Sequence, residues 1–192
     1  MTEKPATQVS SMRATAHPVR LQMLSLLTGA EMSAAEIARE LDLTHANASY
    51  HLRVLAAAGV VVQAGEEKVR GGVAKLYRHP WDQSGTTTKA SPEDPDLYIR
   101  AVSQELVRRF TARKRGGKSI ISDAEMWVEP EVWDEVGALV RQASALIHSQ
   151  AKPPRTRGTI HVNMTAAVFE MGDPSQRTRP SSRTGEQGAG GR

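Results

Sequence analysis

The chain of 192 residues contains no cysteine. Disulfides, thiolate metal sites and cysteine nucleophiles are excluded at once. Aromatic residues are few, three Trp, three Tyr and two Phe, so a core has to be built from Leu, Val, Ala and Met. No apolar run approaches the roughly 20 residues of a membrane span. The first dozen residues carry Glu3 and Lys4 but no apolar stretch of the kind a signal peptide needs, so a cytoplasmic protein with no membrane attachment is expected. Acid is in slight deficit: 21 Asp and Glu against 25 Lys and Arg leave a net charge of +4 and a pI near 9.6. So small an excess is only weak support for a polyanionic partner.

Constellations that would carry chemistry are missing as well. The histidines are His17, His45, His51, His79, His148 and His161, and no pair has the spacing of a helical or loop metal site. For His51 a packing role within its helix is the expectation. Ser149 and Lys152 match a serine acyl-enzyme spacing, but at a helix end and without its companion motifs. The glycines at Gly188, Gly190 and Gly191 follow no strand and open no helix. Glu129, Glu131, Asp134 and Glu135 crowd a first helical turn, where the macrodipole favours acids. No catalytic residue, metal or cofactor is expected.

What is present centres on residues 33–80. Ile37, Leu41, Leu43, Ala48, Leu52 and Leu55 recur at three- and four-residue steps, predicting helices over 33–41 and 44–58, each with one buried face. Leu41-Asp42-Leu43-Thr44 is the turn between them, and Thr44 is placed to cap the second. That helix leaves His45, Ala46, Asn47, Ser49, Tyr50 and Arg53 as an exposed polar strip without acid. Gly59 reads as its C-cap. Strands follow from Val60 and over 73–78, joined by a glycine-rich loop at 65–72, and bring Lys68, Arg70, Lys75 and Arg78. Between 53 and 79 five cations face only Glu66 and Glu67. A basic hairpin behind a polar second helix is how a winged helix-turn-helix sits on DNA, the helix in the major groove and the wing on phosphates. Asn47 suits a bidentate contact with adenine, and Arg53 a phosphate.

Upstream, 1–11 reads as an irregular N-terminus, with a helical turn at about 11–16. His17-Pro18 opens a further helix with the apolar residues Val19, Met23, Leu24, Leu26 and Leu27, ended by Gly29. Downstream, 81–95 has linker composition. A helix is predicted over 96–113, striped by Ile99, Val102, Leu106 and Phe110. It runs into a stretch at 108–118 with six cations, suited to a helix C-terminus and to water. Residues 119–128 and 160–169 alternate as strands around a helix at 130–149. From 172 onward almost nothing can be buried, so no fold is expected. The fold class expected is mainly α with a small β component: a winged helix-turn-helix domain at 12–80, then a small α+β dimerisation domain at 96–171.

His17-Pro18-Val19-Arg20, Glu31 to Ala38, Asn47 to Leu55 and Ala58-Gly59-Val60-Val61 together resemble the ArsR-type winged helix-turn-helix regulators. The resemblance implies a homodimeric bacterial repressor on double-stranded DNA. Its base-reading positions fall on His45, Ala46, Asn47, Ser49 and Tyr50. Members that sense metals place two cysteines where this chain has Ser33 and Ala35, and the alternative Asp and His site has no counterpart, since Asp134 and His148 lie too far apart. The C-terminal part is similar to the tail of longer actinobacterial members, implying dimerisation and an effector site. Trp127 and Trp133 flank the start of helix 130–149 and are the candidates to line a pocket for an apolar small-molecule effector, or else to fill the dimer interface. Two other readings stay open. One is a ligand-responsive sensor controlling DNA binding, the other a winged-helix protein-interaction module.

Overall fold

The computed structural model describes residues 10–83 and 93–172. The N-terminus before residue 10, residues 84–92 of the linker and the tail from 173 lie outside the described residues.

Each helix of the N-terminal half begins where a side chain can take an orphaned backbone N–H. Ser10 accepts from the Arg13 N–H at 3.1 Å to start α1 (Ser11–Thr15). His17 Nδ1 accepts from the Val19 N–H at 3.2 Å, and Pro18 opens α2 (Pro18–Gly29) where its missing N–H costs nothing. Ser33 and Glu36 form a reciprocal capping box at the start of α3 (Ala34–Glu40): the Ser33 N–H donates to Glu36 at 2.8 Å and the Glu36 N–H to Ser33 at 3.3 Å. Thr44 accepts from the Asn47 N–H at 3.2 Å and starts α4 (His45–Ala57). Between α3 and α4 the chain turns at Asp42, whose φ of 54° is left-handed.

Gly59, at φ 69°, releases the chain from α4. The hairpin of β2 (Val62–Val69) and β3 (Gly72–Arg78) comes next. The loop expected at 65–72 is instead mostly strand. Pairing continues from Gly65↔Leu76 to Val69↔Gly72, so the turn is only Arg70 and Gly71, the latter at φ 99°. A register shift between Gln63 and Gly65 absorbs the sequence irregularity that reads as a loop. A third strand, β1 (Met32–Ser33), pairs antiparallel with β3, giving the order β1-β3-β2. At two residues it has no periodicity to betray it in the sequence.

The core is confined to this half. Of the 13 buried hydrophobic residues among the described residues, all but Ala101 lie between Ala14 and Val61. Met23, Leu27, Ile37, Leu52, Leu55 and Val61 are its largest fully buried members. α5 (Asp94–Thr111) packs on α1 and α2. It begins at Asp94, inside the expected linker, and Ile99, Leu106 and Phe110 of the expected stripe are exposed, whereas Ala101 and two acids are buried. Asp94, 1% exposed, accepts a hydrogen bond from Ser10 and pairs with Arg13 at 3.5 Å. Glu105, 2% exposed, accepts from Gln22 Nε2 at 2.7 Å and from Arg108 at 2.9 Å.

α6 (Pro130–Ser149) has the expected limits but buries no residue. The strands expected at 119–128 and 160–169 do not form within the chain. Alternation makes a segment able to join a sheet, but a ladder also needs a partner strand. None is supplied here among the described residues. The segment after α6 is nevertheless attached to the core. Lys152 lies so close to the end of α2 that a Cβ on Gly29 would meet its carbonyl oxygen at 2.6 Å. Gly29 thus serves close approach rather than a left-handed cap, since the helix ends on Ala30 at φ −152°. Arg155 bonds Glu40 at 2.7 Å, and the Trp81 and His148 rings lie 5.5 Å apart. No helix among the described residues is long and apolar enough to cross a membrane.

Candidate nucleic-acid interface

The α3–turn–α4 unit positions the polar strip. Ala48, Leu52 and Leu55 turn into the core, which forces the intervening residues outward. His45, Ala46, Asn47, Tyr50 and Arg53 are exposed and Ser49 is half-buried. Arg53 is held along the helix by its Nε, which donates to the Ser49 carbonyl at 3.3 Å.

β3 lies beside this strip. A groove of about 240 Å³ runs between the start of α3, α4 and β3, and it gathers His45, Ser49 and Lys75 with Ser33, Ala35 and Tyr77. Three of the residues singled out in the sequence therefore share one concave surface. Lys68 and Arg70 are exposed at the far end of the hairpin, Arg70 in the two-residue turn itself. Arg78 is half-buried at the hairpin base, opposite Val62. Lys75 stands across from Glu66, so one wing cation is partly offset by a cross-strand acid. None of these cations forms an ion pair among the described residues. Such a surface can hold a polyanion through the wing and present amide, hydroxyl and imidazole groups to a groove.

A second cluster lies behind Tyr50, and sequence reasoning missed it as a unit. The His17 and His51 rings lie 4.8 Å apart, and Tyr50 meets His51 edge-on at 5.3 Å. Burial pushes the pKa of His51 down, with the charges of His17 and Arg20 adding to it. Burial and Arg20 do the same to His17. His51 Nδ1 and Arg20 Nε are buried without a hydrogen-bond partner among the described residues. The cluster joins the first turn of α2 to the middle of α4. A signal for it exists, since His17, Arg20 and His51 all lie in stretches that carry the family resemblance.

The two tryptophans are not brought together. Trp127 is 93% exposed, Trp133 is half-buried in the first turn of α6, and neither lines the groove beside α4. In the basic stretch, Arg108 and Arg109 turn back to Glu105, and Arg113 lies 3.9 Å over the Phe110 ring.

Three helices, a capped second helix with a polar outer strip, and a three-stranded wing define the winged helix-turn-helix class. A family model described as a helix-turn-helix domain matches residues 15–64, from the end of α1 into β2. The chain thus carries a helix-turn-helix domain, the unit with which regulators of this kind bind DNA. A comparison with the curated proteins gives no match.

Proposed function

We propose that the chain is a sequence-specific transcription regulator of the ArsR type, a homodimeric repressor that binds double-stranded DNA. α4 enters the major groove with His45, Ala46, Asn47, Ser49 and Tyr50 toward the bases. Arg53, Lys68, Arg70, Lys75 and Arg78 meet phosphates. The observation that carries this reading is the juxtaposition of α4 and β3, which puts an acid-free polar helix face and a cationic hairpin on one side of the molecule. One copy presents one reading helix, and a dimer would place two about one turn of DNA apart, roughly 34 Å.

The test is binding to the DNA upstream of its own gene against random DNA across a salt series. A specific complex of dimer stoichiometry, weakening steeply with salt, is expected. Arg70→Ala should lower affinity for both DNAs and reduce the salt slope by about one. Asn47→Ala should cost ~1–3 kcal/mol at one operator position only. Equal losses on operator and random DNA would remove Asn47 from the reading set.

A further inference from the structure

The residues after α5 present apolar surface that no other described residue covers. Of the 24 large exposed hydrophobic side chains among the described residues, 15 follow residue 118. Ile120 is 97% exposed and Ile160 83%. On α6, Val132, Val136, Leu139 and Leu146 are exposed on a helix that buries nothing. A single soluble protomer rarely leaves so much apolar surface to water. This surface is not a loose tail. It is tied to the core at both ends, by Asp94 and Glu105 before it and by Lys152 and Arg155 behind α6. Within it, Asn163 accepts from Arg109 of α5 at 3.1 Å.

Two further features point to what covers it. Residues 119–128 and 160–168 alternate as strands do, yet make no backbone–backbone hydrogen bond among the described residues. Their unpaired donors and acceptors are ready for a second chain. The charges are also laid out in opposed blocks. Arg113, Lys114, Arg115 and Lys118 precede Asp123, Glu125, Glu129, Glu131, Asp134 and Glu135, and no member of either block forms an ion pair within the chain among the described residues. A surface that carries both signs in separate blocks is complementary to its own copy turned by a two-fold axis.

We infer that this surface is completed by a second copy of the chain, with 160–168 of each protomer laid as a strand against 119–128 of the other. The cations at 113–118 then face the partner's acids at 123–135. Pairing 119–128 with its own copy would set Asp123 and Glu125 among like charges, which opposes it. Segment 160–168 has no acid, and Arg155, Arg157 and His161 flank or lie in it. This inference rests on the dimeric reading proposed above and specifies how the two copies are joined.

The absence of cysteine makes the test direct. Full-length Ala124→Cys protein is mixed, refolded and oxidised with each of Val162→Cys, Met164→Cys and Ala166→Cys, the two partners carrying tags of different mass. Sedimentation gives the oligomeric state of the unmodified chain. A dimer, with a mixed disulfide strongest at one of the three positions, is the expected result. A monomer at micromolar concentration, or a dimer with no mixed disulfide at any of the three, overturns the inference. So does a monomer whose Trp127 fluorescence responds saturably to 8-anilinonaphthalene sulfonate, which would assign the apolar surface to a small ligand. Lys114→Glu with Arg115→Glu should raise the dimer dissociation constant about tenfold. Adding Glu125→Lys and Glu129→Lys should restore it, and no restoration would overturn the charge pairing. DNA binding is read separately. A cross-linked dimer indifferent to DNA would defeat the regulator reading alone, and a monomer that binds its operator would defeat this inference alone.

Discussion

Glu105 is the joint between α5 and the DNA-binding core, and Glu105→Ala measures what that joint contributes. The carboxylate is 2% exposed and accepts from Gln22 Nε2 at 2.7 Å, from Arg108 Nε at 3.0 Å and Nη2 at 2.9 Å, with Arg109 Nε at 3.3 Å. Burial by itself would raise its pKa. The hydrogen bonds from Arg108 and Gln22, with the charges of Arg108 and Arg109, outweigh burial and hold the carboxyl below its ordinary value. Breaking a fully buried ion pair costs ~3–5 kcal/mol because a charge is stranded out of water. Here the cations are not stranded, since the Arg108 side chain is 53% exposed and that of Arg109 is 23% exposed. Two or three charge-assisted hydrogen bonds are lost and water replaces part of them, so about 2–3 kcal/mol is expected. The sign with pH is fixed by the lowered pKa. The contribution is complete above the unfolded-state value of about 4.3 and disappears as pH falls through the depressed folded value. Urea unfolding followed by circular dichroism, at one protein concentration, should show the full gap between wild type and variant at pH 7 and a gap that shrinks as pH falls below about 4.3. A gap under ~0.5 kcal/mol at pH 7, or one that does not change with pH, would refute the assignment.

Gly29→Ala separates two effects of opposite sign. In an uncrowded helix end the change would stabilise by up to ~1 kcal/mol. Because the new Cβ would lie 2.6 Å from the Lys152 carbonyl, destabilisation is expected instead, with faster proteolysis around 150–155. A higher melting temperature would show that this segment does not dock on α2. Asp42→Gly should stabilise by about 0.5–1 kcal/mol by relieving a left-handed non-glycine residue, and Asp42→Val should destabilise by more than that. Burial pushes the His79 pKa down, opposed by its hydrogen bond to the Val60 carbonyl at 2.8 Å and aided by the charge of His148. A neutral imidazole in the folded chain means stability that is complete above ~6.5 and lost as pH falls through the lowered folded value. His79→Gln should flatten that loss in thermal melts between pH 7 and 5, and an unchanged slope would remove His79 as its cause.

The DNA-binding half is legible because its signals are local. Pro18 after His17, Thr44 before α4 and Gly59 after Ala58 each mark a boundary through one hydrogen bond or one backbone angle, and the start of α2 and the limits of α4 fall there. The polar strip on α4 is equally readable, since Ala48, Leu52 and Leu55 assign the intervening positions on the helix to water. Periodicity misses whatever arises from contact between distant residues. β1 is two residues long and exists because β3 passes beside it. Asp94 reads as the end of the linker and Glu105 lies off the expected stripe of Ile99, Val102, Leu106 and Phe110, yet with Ala101 they are the most buried side chains of α5. Polar partners as distant in sequence as Ser10 and Gln22 leave no periodic trace.

The C-terminal half separates two things that alternation alone confounds, the capacity of a segment to be a strand and the presence of a partner. Residues 160–168 have that capacity, with Ile160, Val162, Met164, Ala166 and Val168 recurring at every second position, but the chain offers them no ladder among the described residues. The same holds for α6, whose apolar stripe is regular and buries nothing. α2 has α4 and α5 against it, whereas α6 meets the core near Trp81 and through the segment at Lys152. Hydrophobic burial scales with area removed from water, at ~25 cal/mol per Å², and does not distinguish a surface removed by the same chain from one removed by another. A sequence that folds as two copies, as proposed above, would carry the pattern of a complete domain in each half while one copy holds a single complete core among the described residues. The polar joints at Asp94 and Glu105 then acquire a second role. On the dimeric reading proposed above, they fix the orientation of α5 relative to α4, and would thereby set the separation of two reading helices from outside the proposed reading surface. On this reasoning Glu105→Ala should weaken operator binding through the dimer geometry while leaving binding to random DNA, which needs no fixed spacing, nearly unchanged. Equal loss on both DNAs would mean that α5 supports the fold of the reading helix and not its spacing.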